Sequence, residues 1–359
     1  MRARRTSLAA IAVVAAVTTS GLLTACGASP SPAAGHGTPS ASTSTPAGSG
    51  TPTPTQSPSG GTGGSTGGGS GSGGTSGGSS GGGSGAPVSF NGTGGTMLTI
   101  SNGTSKVVMN GTVVDFGVVV RDLAWSADGR RAAFIDGDGN LDTANADGSG
   151  RVVLAHNPGG QTWSHPAWQD IRNDPGYSNK PVDRIFFVAG SGSGARLMEV
   201  PAAGGTPALL GLGQMCCTGP GLPQSGNTWV NGGGTHGTTV YENTDNGEVY
   251  IRDDYLRQQG EALTNGSEPA LNPADQDAGI VFVRSVGGHD HVFVEHAGSG
   301  SVSYVDITPH ATTDYTEPAV SPDGRTVAVR TPDGVAVLPI DGSAAPRQIS
   351  SVAGLPAYR

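Results

Sequence analysis

A short motif recurs along this chain at nearly even spacing, and it constrains the fold more than any other feature of the sequence. The motif places Pro-Ala or Leu-Ala before an apolar or aromatic residue. Its clear copies lie at 122–125, 165–168, 268–271, 317–320 and 355–358. With one weak copy counted at 226–254, five steps of about 47 residues separate the first copy from the last, and repeats of this length are typical of propellers.

The same order of strands and turns follows each copy. A first strand ends in a turn such as SADG (126–129) or SPDG (321–324), where Pro sets φ, Asp bonds its own backbone and Gly takes a positive φ. Predicted second strands are 131–135, 184–189, 238–242, 279–284 and 326–330. Predicted third strands are 141–145, 197–201, 248–252, 291–295 and 335–339. Predicted fourth strands include 151–155, 207–211 and 347–350.

Four short antiparallel strands per unit predict an all-β fold, a six-bladed β-propeller. Near the N-terminus, 87–90, 97–101 and 106–109 are predicted as the second, third and fourth strands of a blade that lacks a first. Residues 355–359 would supply that first strand from the far end of the chain, so that the ring closes without a free sheet edge. Seven blades are the alternative, if 169–267 hides one more.

The first residues have the composition of an export signal. Three arginines at positions 2, 4 and 5 precede an apolar stretch, 8–23, which is too short to span a bilayer comfortably. The sequence Leu-Thr-Ala-Cys ending at Cys26 resembles the lipobox of bacterial lipoproteins, which implies cleavage before Cys26 and acylation of that residue, palmitate included. An ordinary signal peptide with an incidental Cys26 is the alternative. We therefore predict a lipoprotein signal peptide at 1–25 and an anchor on the outer face of the cell membrane.

The segment 26–86 is predicted to be a disordered tether that carries the lipidated cysteine at its start. It consists mainly of Ser, Thr, Pro, Ala and Gly, and no charged residue occurs between Arg5 and Lys106, so it cannot bury apolar surface. The propeller domain is predicted at 87–359. Loss of the three signal-peptide arginines takes the net charge from −9 to −12, which argues against nucleic acid and against electrostatic docking on a membrane.

The repeat resembles a known family of propellers. Pro-Ala-Trp (166–168), Ser-Pro-Asp-Gly (321–324) and the later Asp-Gly turns are similar to the TolB-type repeats of bacterial envelope proteins. The resemblance covers essentially all of 87–359 and implies the propeller fold and a location in the envelope. It implies no particular chemistry, because such propellers serve as binding platforms, as enzyme-associated domains and in some cases as catalysts.

The resemblance is uneven along the chain. It is good at 122–155 and 317–350, whereas the turn is enlarged or altered at 168–177 and 271–277. The alanine- and glycine-rich signal and the Ser/Gly tether resemble those of actinobacterial lipoproteins.

The residue that opens each first strand is the main candidate for function. These residues are Asp122, His165, Glu268 and Glu317, and Leu355 breaks the series. The innermost strands of a propeller surround its axis, so their starting ends would cluster at one mouth of the channel. Three acids and a histidine there predict a site for a cation or for a basic segment of a partner. The alternative is structural: each residue satisfies backbone N–H groups of the neighbouring blade.

Cys216 and Cys217 are adjacent in a loop rich in Gly and Pro. A vicinal disulfide between them would be strained, because adjacent Cα atoms lie about 3.8 Å apart and most disulfides need roughly 4.4–6.8 Å. Two buried free thiols and a disulfide to another chain are the alternatives.

Two further motifs invite a metal interpretation. His289 and His291, followed by His296, approach a predicted third strand on alternating faces, so no metal site is predicted there. The segment DGDGN at 136–140 is predicted to be a tight turn. Its alternative is a calcium loop, although no Glu follows at the EF-hand distance, and calcium is the one cofactor that the sequence leaves open.

These observations predict a membrane-anchored, extracytoplasmic propeller that serves as a platform for an envelope protein or a cell-wall component. We expect a monomer that touches the membrane only through its lipid anchor. The alternative is an enzyme, a lyase or hydrolase acting on an envelope polysaccharide or peptide at the channel mouth. That enzyme would use His165 and His236 with Asp122 or Glu317, but no catalytic motif is readable in the sequence.

Overall fold

The structure, a computed structural model, describes residues 90–171, 181–215, 221–233, 237–253, 259–274, 279–298 and 301–359. These residues form six sheets, each of four or five strands, arranged as the blades of a β-propeller. The prediction of six blades is confirmed, and the seven-bladed alternative is wrong. No helix in the described ranges has the length and apolar character needed to cross a membrane.

The first strands in chain order belong to blade 1: β1 (Leu98–Ser101), β2 (Lys106–Met109) and β3 (Thr112–Asp115). Blade 2 contains β4 (Arg121–Trp125), β5 (Arg131–Ile135), β6 (Leu141–Asn145) and β7 (Val152–Ala155). Blade 3 contains β8 (Trp163–Ile171), β9 (Val182–Ala189), β10 (Arg196–Pro201) and β11 (Ala208–Leu209), with a short 3-10 helix at Gly192–Gly194.

Blade 4 contains β12 (Gln214–Met215), β13 (Asn227–Gly233), β14 (Thr238–Asn243), β15 (Glu248–Asp253) and β16 (Gln259–Asn265). Blade 5 contains β17 (Ser267–Leu271), β18 (Ile280–Val286), β19 (His289–Gly298) and β20 (Ser301–Asp306). Blade 6 contains β21 (Thr316–Val320), β22 (Thr326–Thr331), β23 (Gly334–Pro339) and β24 (Arg347–Ser350), and β25 (Leu355–Tyr358) ends the series. The extra strand β12 runs parallel to the outermost strand β16, which the repeat did not predict.

The two ends of the propeller meet in blade 1. β25 pairs antiparallel with β1, with Thr99 opposite Ala357 and Ile100 opposite Pro356. The hydroxyl of Thr99 donates a hydrogen bond to the carbonyl of Ala357 at 2.8 Å. The predicted closure is therefore confirmed, and the inner edge of β1 is covered.

The strand order predicted for blade 1 was wrong by one place. Residues 97–101 and 106–109, predicted as third and fourth strands, contain the second and third. The fourth strand is Thr112–Asp115, which was not predicted, and Phe90 lies outside any strand. Residues 87–89, the rest of the predicted second strand, are outside the described ranges.

The strand order of blade 1 was predicted wrongly because its fourth strand, β3, is exposed. Asn110 and Gly111 have φ of 48° and 74° and form a tight turn that returns the chain antiparallel to β2. The strand that follows is largely exposed, because it is the outermost of its blade. An exposed edge strand needs no alternating apolar pattern, so the sequence offered little signal there.

The SPDG turn has the predicted chemistry. The hydroxyl of Ser321 donates to Asp323 Oδ1 at 2.6 Å, and the same oxygen accepts from the Arg325 backbone N–H at 3.2 Å. The Thr326 N–H donates back to Ser321 Oγ at 3.0 Å. Gly324 takes φ +69°, so the turn closes the hairpin between β21 and β22.

The aromatic residue of the repeat joins neighbouring blades. Trp125 is 8% exposed, and its indole N–H donates to Thr99 Oγ1 in blade 1 at 2.9 Å. Trp168 does the same one blade further on, donating to the carbonyl of Ala124 at 3.3 Å. Each indole thus buries its ring between blades and satisfies its only donor.

Candidate functional site: the axial channel

The first strands of all six blades line a channel of about 840 Å³ along the propeller axis. Its walls contain a Pro-Ala pair from each of three blades, 3, 6 and 1. Members of these pairs are Pro166, Ala167, Pro318, Ala319, Pro356 and Ala357. Proline carries no backbone N–H and alanine has a small side chain, so the walls are smooth and largely apolar.

Five of the first strands open on a residue with a left-handed backbone. Their φ angles lie between 48° and 53°, and we call this set the opening ring: Asp122, His165, Trp229, Glu268 and Glu317. In each blade the pairing between first and second strand changes register around this residue. It is therefore the extra residue of a β-bulge, a device that re-aims a side chain. The left-handed conformation costs non-glycine residues roughly 1–2 kcal/mol each.

Trp229 is the member that the sequence analysis missed. Its blade contains the weak copy of the motif, in which Val230 and Asn231 replace the Pro-Ala pair. Trp229 lies nine residues before its second strand, as Asp122 and Glu317 do, and an alignment on this spacing would have found it. Leu355, which breaks the series in the sequence, has no positive φ.

Two members of the opening ring hold the next blade in place. Asp122 Oδ2 accepts a hydrogen bond from the His165 backbone N–H at 3.1 Å. Glu268 Oε2 accepts one from the Glu317 backbone N–H at 2.5 Å. For these two residues the geometry matches the structural alternative raised by the sequence.

In blade 4 another residue performs this structural task. Trp229 has no acceptor, and Glu242 of β14 takes its place. Glu242 Oε2 accepts from the Glu268 backbone N–H at 2.7 Å, and its Oε1 accepts from the Thr228 hydroxyl at 2.6 Å. The Trp229 side chain is therefore not needed to link blades 4 and 5.

His165 and Trp229 face each other at the channel wall. Their ring centroids lie 4.1 Å apart with an interplanar angle of 47°, and both residues line the channel. His165 Nδ1 is buried and has no hydrogen-bond partner within the described part of the chain. The pair thus presents an aromatic surface and one unsatisfied polar atom.

Glu317 resembles His165 and Trp229 in one respect: among the described residues, its side chain accepts no hydrogen bond from the backbone of another opening residue. Its Oε1 accepts from Arg330 Nη1 at 2.6 Å. Its Oε2 is buried and, among the residues the structure describes, has no hydrogen-bond partner. The side chain is only 16% exposed, so an unsatisfied oxygen there is costly unless a ligand pairs with it.

Burial and mutual repulsion perturb the two glutamates. Burial raises the pKa of Glu268 to about 7; the hydrogen bond from the Glu317 backbone lowers it, and the charges of Glu317, Glu242 and Asp290 raise it. Burial also raises the pKa of Glu317, where Arg330 and His165 oppose the rise and Asp122 adds to it. Glu317 directly precedes the channel-lining Pro318, and Glu268 lies two residues before the channel-lining Ala270. Both acids, next to the wall of the channel, therefore favour either a proton or a cation.

The first strands end at a different set of channel-lining groups, which includes Asp170, Pro322 and Arg359. The guanidinium of Arg359 lies over the Trp125 ring, 5.6 Å from its centroid, and its Nε donates to the Gly129 carbonyl at 2.9 Å. Residues 172–180, 234–236 and 275–278 are outside the described ranges.

The structure thus brings all four predicted opening residues together at one end of the first strands. His236 falls outside the described ranges, as do Cys26, Cys216 and Cys217, so the lipidation and disulfide predictions are not addressed. The other histidines do not converge. His289 Nδ1 lies 3.2 Å from Asp314, whereas the buried His291 pairs through Nδ1 with Asp306 at 2.8 Å.

The DGDGN segment forms the turn between β5 and β6. Asp136 Oδ1 accepts from the backbone N–H groups of Asp138 and Asn140 at 2.9 and 2.8 Å, and Oδ2 accepts from Arg151 at 2.9 Å. These bonds use the Asp136 carboxylate within the protein. Within the described ranges no group of three or more His, Cys, Asp or Glu side chains is arranged to hold a metal ion.

Comparison with known proteins finds only distant structural similarity. No protein-family model matches the chain, and no curated protein matches it. A TolB protein from Agrobacterium tumefaciens is 19% identical with a TM-score of 0.49, over 72% of this chain and 90% of that one. TolB from Acinetobacter baumannii is 14% identical with a TM-score of 0.45, over 72% and 65%. The GH74 xyloglucanase from Xanthomonas campestris is 14% identical with a TM-score of 0.43, over 70% and 43%.

Proposed function

We propose that this chain is an exported lipoprotein of the actinobacterial type whose propeller binds an envelope protein or a cell-wall component at its axial channel. A signal peptide at 1–25 would be removed, Cys26 would carry the acyl chains, and 26–86 would tether the propeller domain, 87–359, to the outer face of the membrane. The composition of the first 86 residues supports this arrangement.

The axial channel carries the proposal of a binding function. It joins apolar walls to a few polar groups that converge at one end, the combination typical of ligand sites. Two buried polar atoms have no hydrogen-bond partner in the described part of the chain: Nδ1 of the channel-lining His165, and Oε2 of Glu317, which directly precedes the channel-lining Pro318. Because buried polar atoms are normally paired, these two are the groups that a ligand would satisfy.

Crosslinking in intact cells followed by purification of the full-length protein tests this proposal. We expect one envelope protein or wall fragment to be recovered in stoichiometric amount. A Cys26→Ser variant is the matched control for anchoring, and it should leave the membrane fraction while the wild type stays there. Recovery of no specific partner by the wild type in repeated captures would count against the binding function.

An enzyme is the second candidate, and one observation favours it. His165 lies close enough to Glu317 for its charge to oppose the rise in the pKa of that carboxyl. A histidine beside a carboxyl that binds its proton more tightly is a common acid–base arrangement. Turnover of a wall polysaccharide or peptide by the wild type, lost in His165→Ala, would place the enzyme ahead of the binding platform.

A further inference from the structure

We infer that the opening ring binds the cationic side chain, lysine or arginine, of a protein segment inserted in the axial channel. Trp229 and His165 would pack against that side chain, and Glu317 and Asp122 would supply the opposite charge. This inference rests on the proposed binding function and names the chemistry of its ligand.

The first step is the division of labour within the opening ring. Asp122 and Glu268 each give one oxygen to the backbone of the next blade. Glu317 gives none to a neighbouring opening residue, and its Oε2 is buried without a partner among the described residues. Glu317 is therefore the acid of the opening ring that does not join blades, and it is also the one with an oxygen left for a ligand.

The second step is the presence of a tryptophan at a strained position. A bulky residue with positive φ is an outlier, and Trp229 has φ 51°. Its structural task is performed by Glu242, which bonds the Glu268 backbone in its place. The indole instead lines the channel and packs against His165 with the two rings tilted. An aromatic face beside carboxylates is a favourable environment for an ammonium or guanidinium group.

The third step distinguishes the source of the cation. A metal ion such as calcium prefers six to eight oxygen ligands, whereas Asp122 and Glu268 each already use an oxygen between blades. A glycan would place hydroxyls against the Pro and Ala pairs of the channel wall, which offer few partners for them. The methylene stem of a lysine or arginine fits such walls, and its charged end then meets the acids.

Calorimetric titration of the full-length protein with short peptides tests the inference. The probes are acetylated and amidated pentapeptides with lysine, arginine or norleucine between two pairs of alanines, and calcium chloride alone. We expect a cationic peptide to bind at least tenfold more tightly than the norleucine peptide. Glu317→Gln should weaken that binding about tenfold or more, and Trp229→Leu by roughly two- to thirtyfold.

Two variants control for folding and for general charge. Asp314→Asn removes an exposed acid that pairs with His289, and it should leave peptide binding unchanged. Trp229→Phe keeps an aromatic ring in case the leucine variant fails to fold, and it should bind more weakly than the wild type.

Several outcomes would overturn the inference: equal binding of the norleucine peptide, unchanged binding by Glu317→Gln, or binding of calcium alone. Capture from cells separates this result from the broader proposal. If Glu317→Gln still captures the wild-type partner, the cation site is wrong while the binding platform stands. If the wild type captures no partner, the proposed binding function itself is wrong, and the cation site that rests on it is wrong as well.

Discussion

The Oε2 atom of Glu268 lies 2.5 Å from the backbone nitrogen of Glu317, its counterpart in the next blade. Asp122 and His165 repeat this relationship between blades 2 and 3, three blades away in the ring, at 3.1 Å. In each pair a carboxylate near the axis therefore accepts a hydrogen bond from a backbone N–H of the next blade. That N–H belongs to the bulge residue, which the bulge has turned away from the neighbouring strand. Of these two carboxylates, Asp122 also lines the channel, so under the proposed binding function one side chain would serve both structure and binding.

Glu268→Gln should change how stability depends on pH. The folded-state pKa of Glu268 is about 7 against an ordinary 4.5, so the folded protein holds this proton more tightly than the unfolded chain. The resulting stability is fully present below pH 4.5 and is lost as pH rises towards 7. Glutamine keeps an acceptor for the Glu317 N–H without the charge. We expect the variant to be more stable than the wild type by roughly 1–3 kcal/mol at pH 8 and similar to it near pH 4, on urea unfolding. Equal differences at both pH values would contradict this.

Thr99→Val should weaken the closure of the ring. The Thr99 hydroxyl accepts from Trp125 Nε1 and donates to the Ala357 carbonyl, and valine removes both bonds while keeping the shape. Because Trp125 is buried, its unpaired N–H should cost about 1–3 kcal/mol in the free energy of unfolding. Thr112→Val, on the exposed outer strand, is the control and should change stability little. A loss no greater than that of the control would show that these bonds do not stabilise the closure.

Arg151→Leu should destabilise blade 2 in a pH-dependent way. Arg151 pairs with two buried carboxylates, Asp136 and Asp142, whose side chains are 3% and 0% exposed. Burial raises the pKa of Asp142 to about 6, and Arg151 opposes the rise. Without the arginine two buried charges are uncompensated at pH 8, so we expect a loss of about 3 kcal/mol or more. Because Arg151 holds the pKa of Asp142 down to about 6, the variant takes up this proton at a higher pH than the wild type. The loss should therefore shrink as the pH falls from 8 towards 6 and change little below that.

The matched control for that variant is Lys106→Leu. It breaks the exposed ion pair between Lys106 and Asp115, and pairs of this kind contribute roughly 0–1 kcal/mol. Similar losses in the two variants would show that the Arg151 network is not the buried, stabilising one described above.

Gly324→Ala should be much more harmful than Gly95→Ala. Both glycines have positive φ, +69° and +73°, but an added Cβ at Gly324 would lie 2.6 Å from Asn272 Oδ1 and 2.7 Å from Ala274 Cβ, whereas Gly95 has open space. The backbone cost of about 1 kcal/mol is common to both. Crowding should add roughly 1–3 kcal/mol at Gly324, measured by thermal unfolding. Equal losses would mean that the turn has room to relax.

The blade count could be predicted because the repeat contains recognisable turn residues and aromatic residues at fixed positions. The turn at Ser321–Gly324 closes on hydrogen bonds that its residue types dictate, and Trp125 and Trp168 occupy equivalent positions between blades. The errors fall where tertiary pairing decides. Thr112–Asp115 is an exposed outer strand, and β12 exists only through its pairing with β16.

The candidate site was predictable in position and not in detail. The shared place of Asp122, His165, Glu268 and Glu317 at the start of the first strands follows from the motif. Which of them joins blades depends on distances to backbone N–H groups that no pattern encodes. The part played by Trp229 depends in addition on Glu242, a residue of the second strand that substitutes for the missing acceptor.

The most direct test of a binding channel is site-specific photo-crosslinking in living cells. One photoreactive residue would replace Ala127, which lines the channel at the end of its first strand. A second would replace Leu355, which lines the channel at the start of β25, and a third Val113, 55% exposed on the outer strand of blade 1. The account predicts a partner adduct at Ala127, at Leu355 or at both, and none at Val113. An adduct confined to Val113 would contradict it.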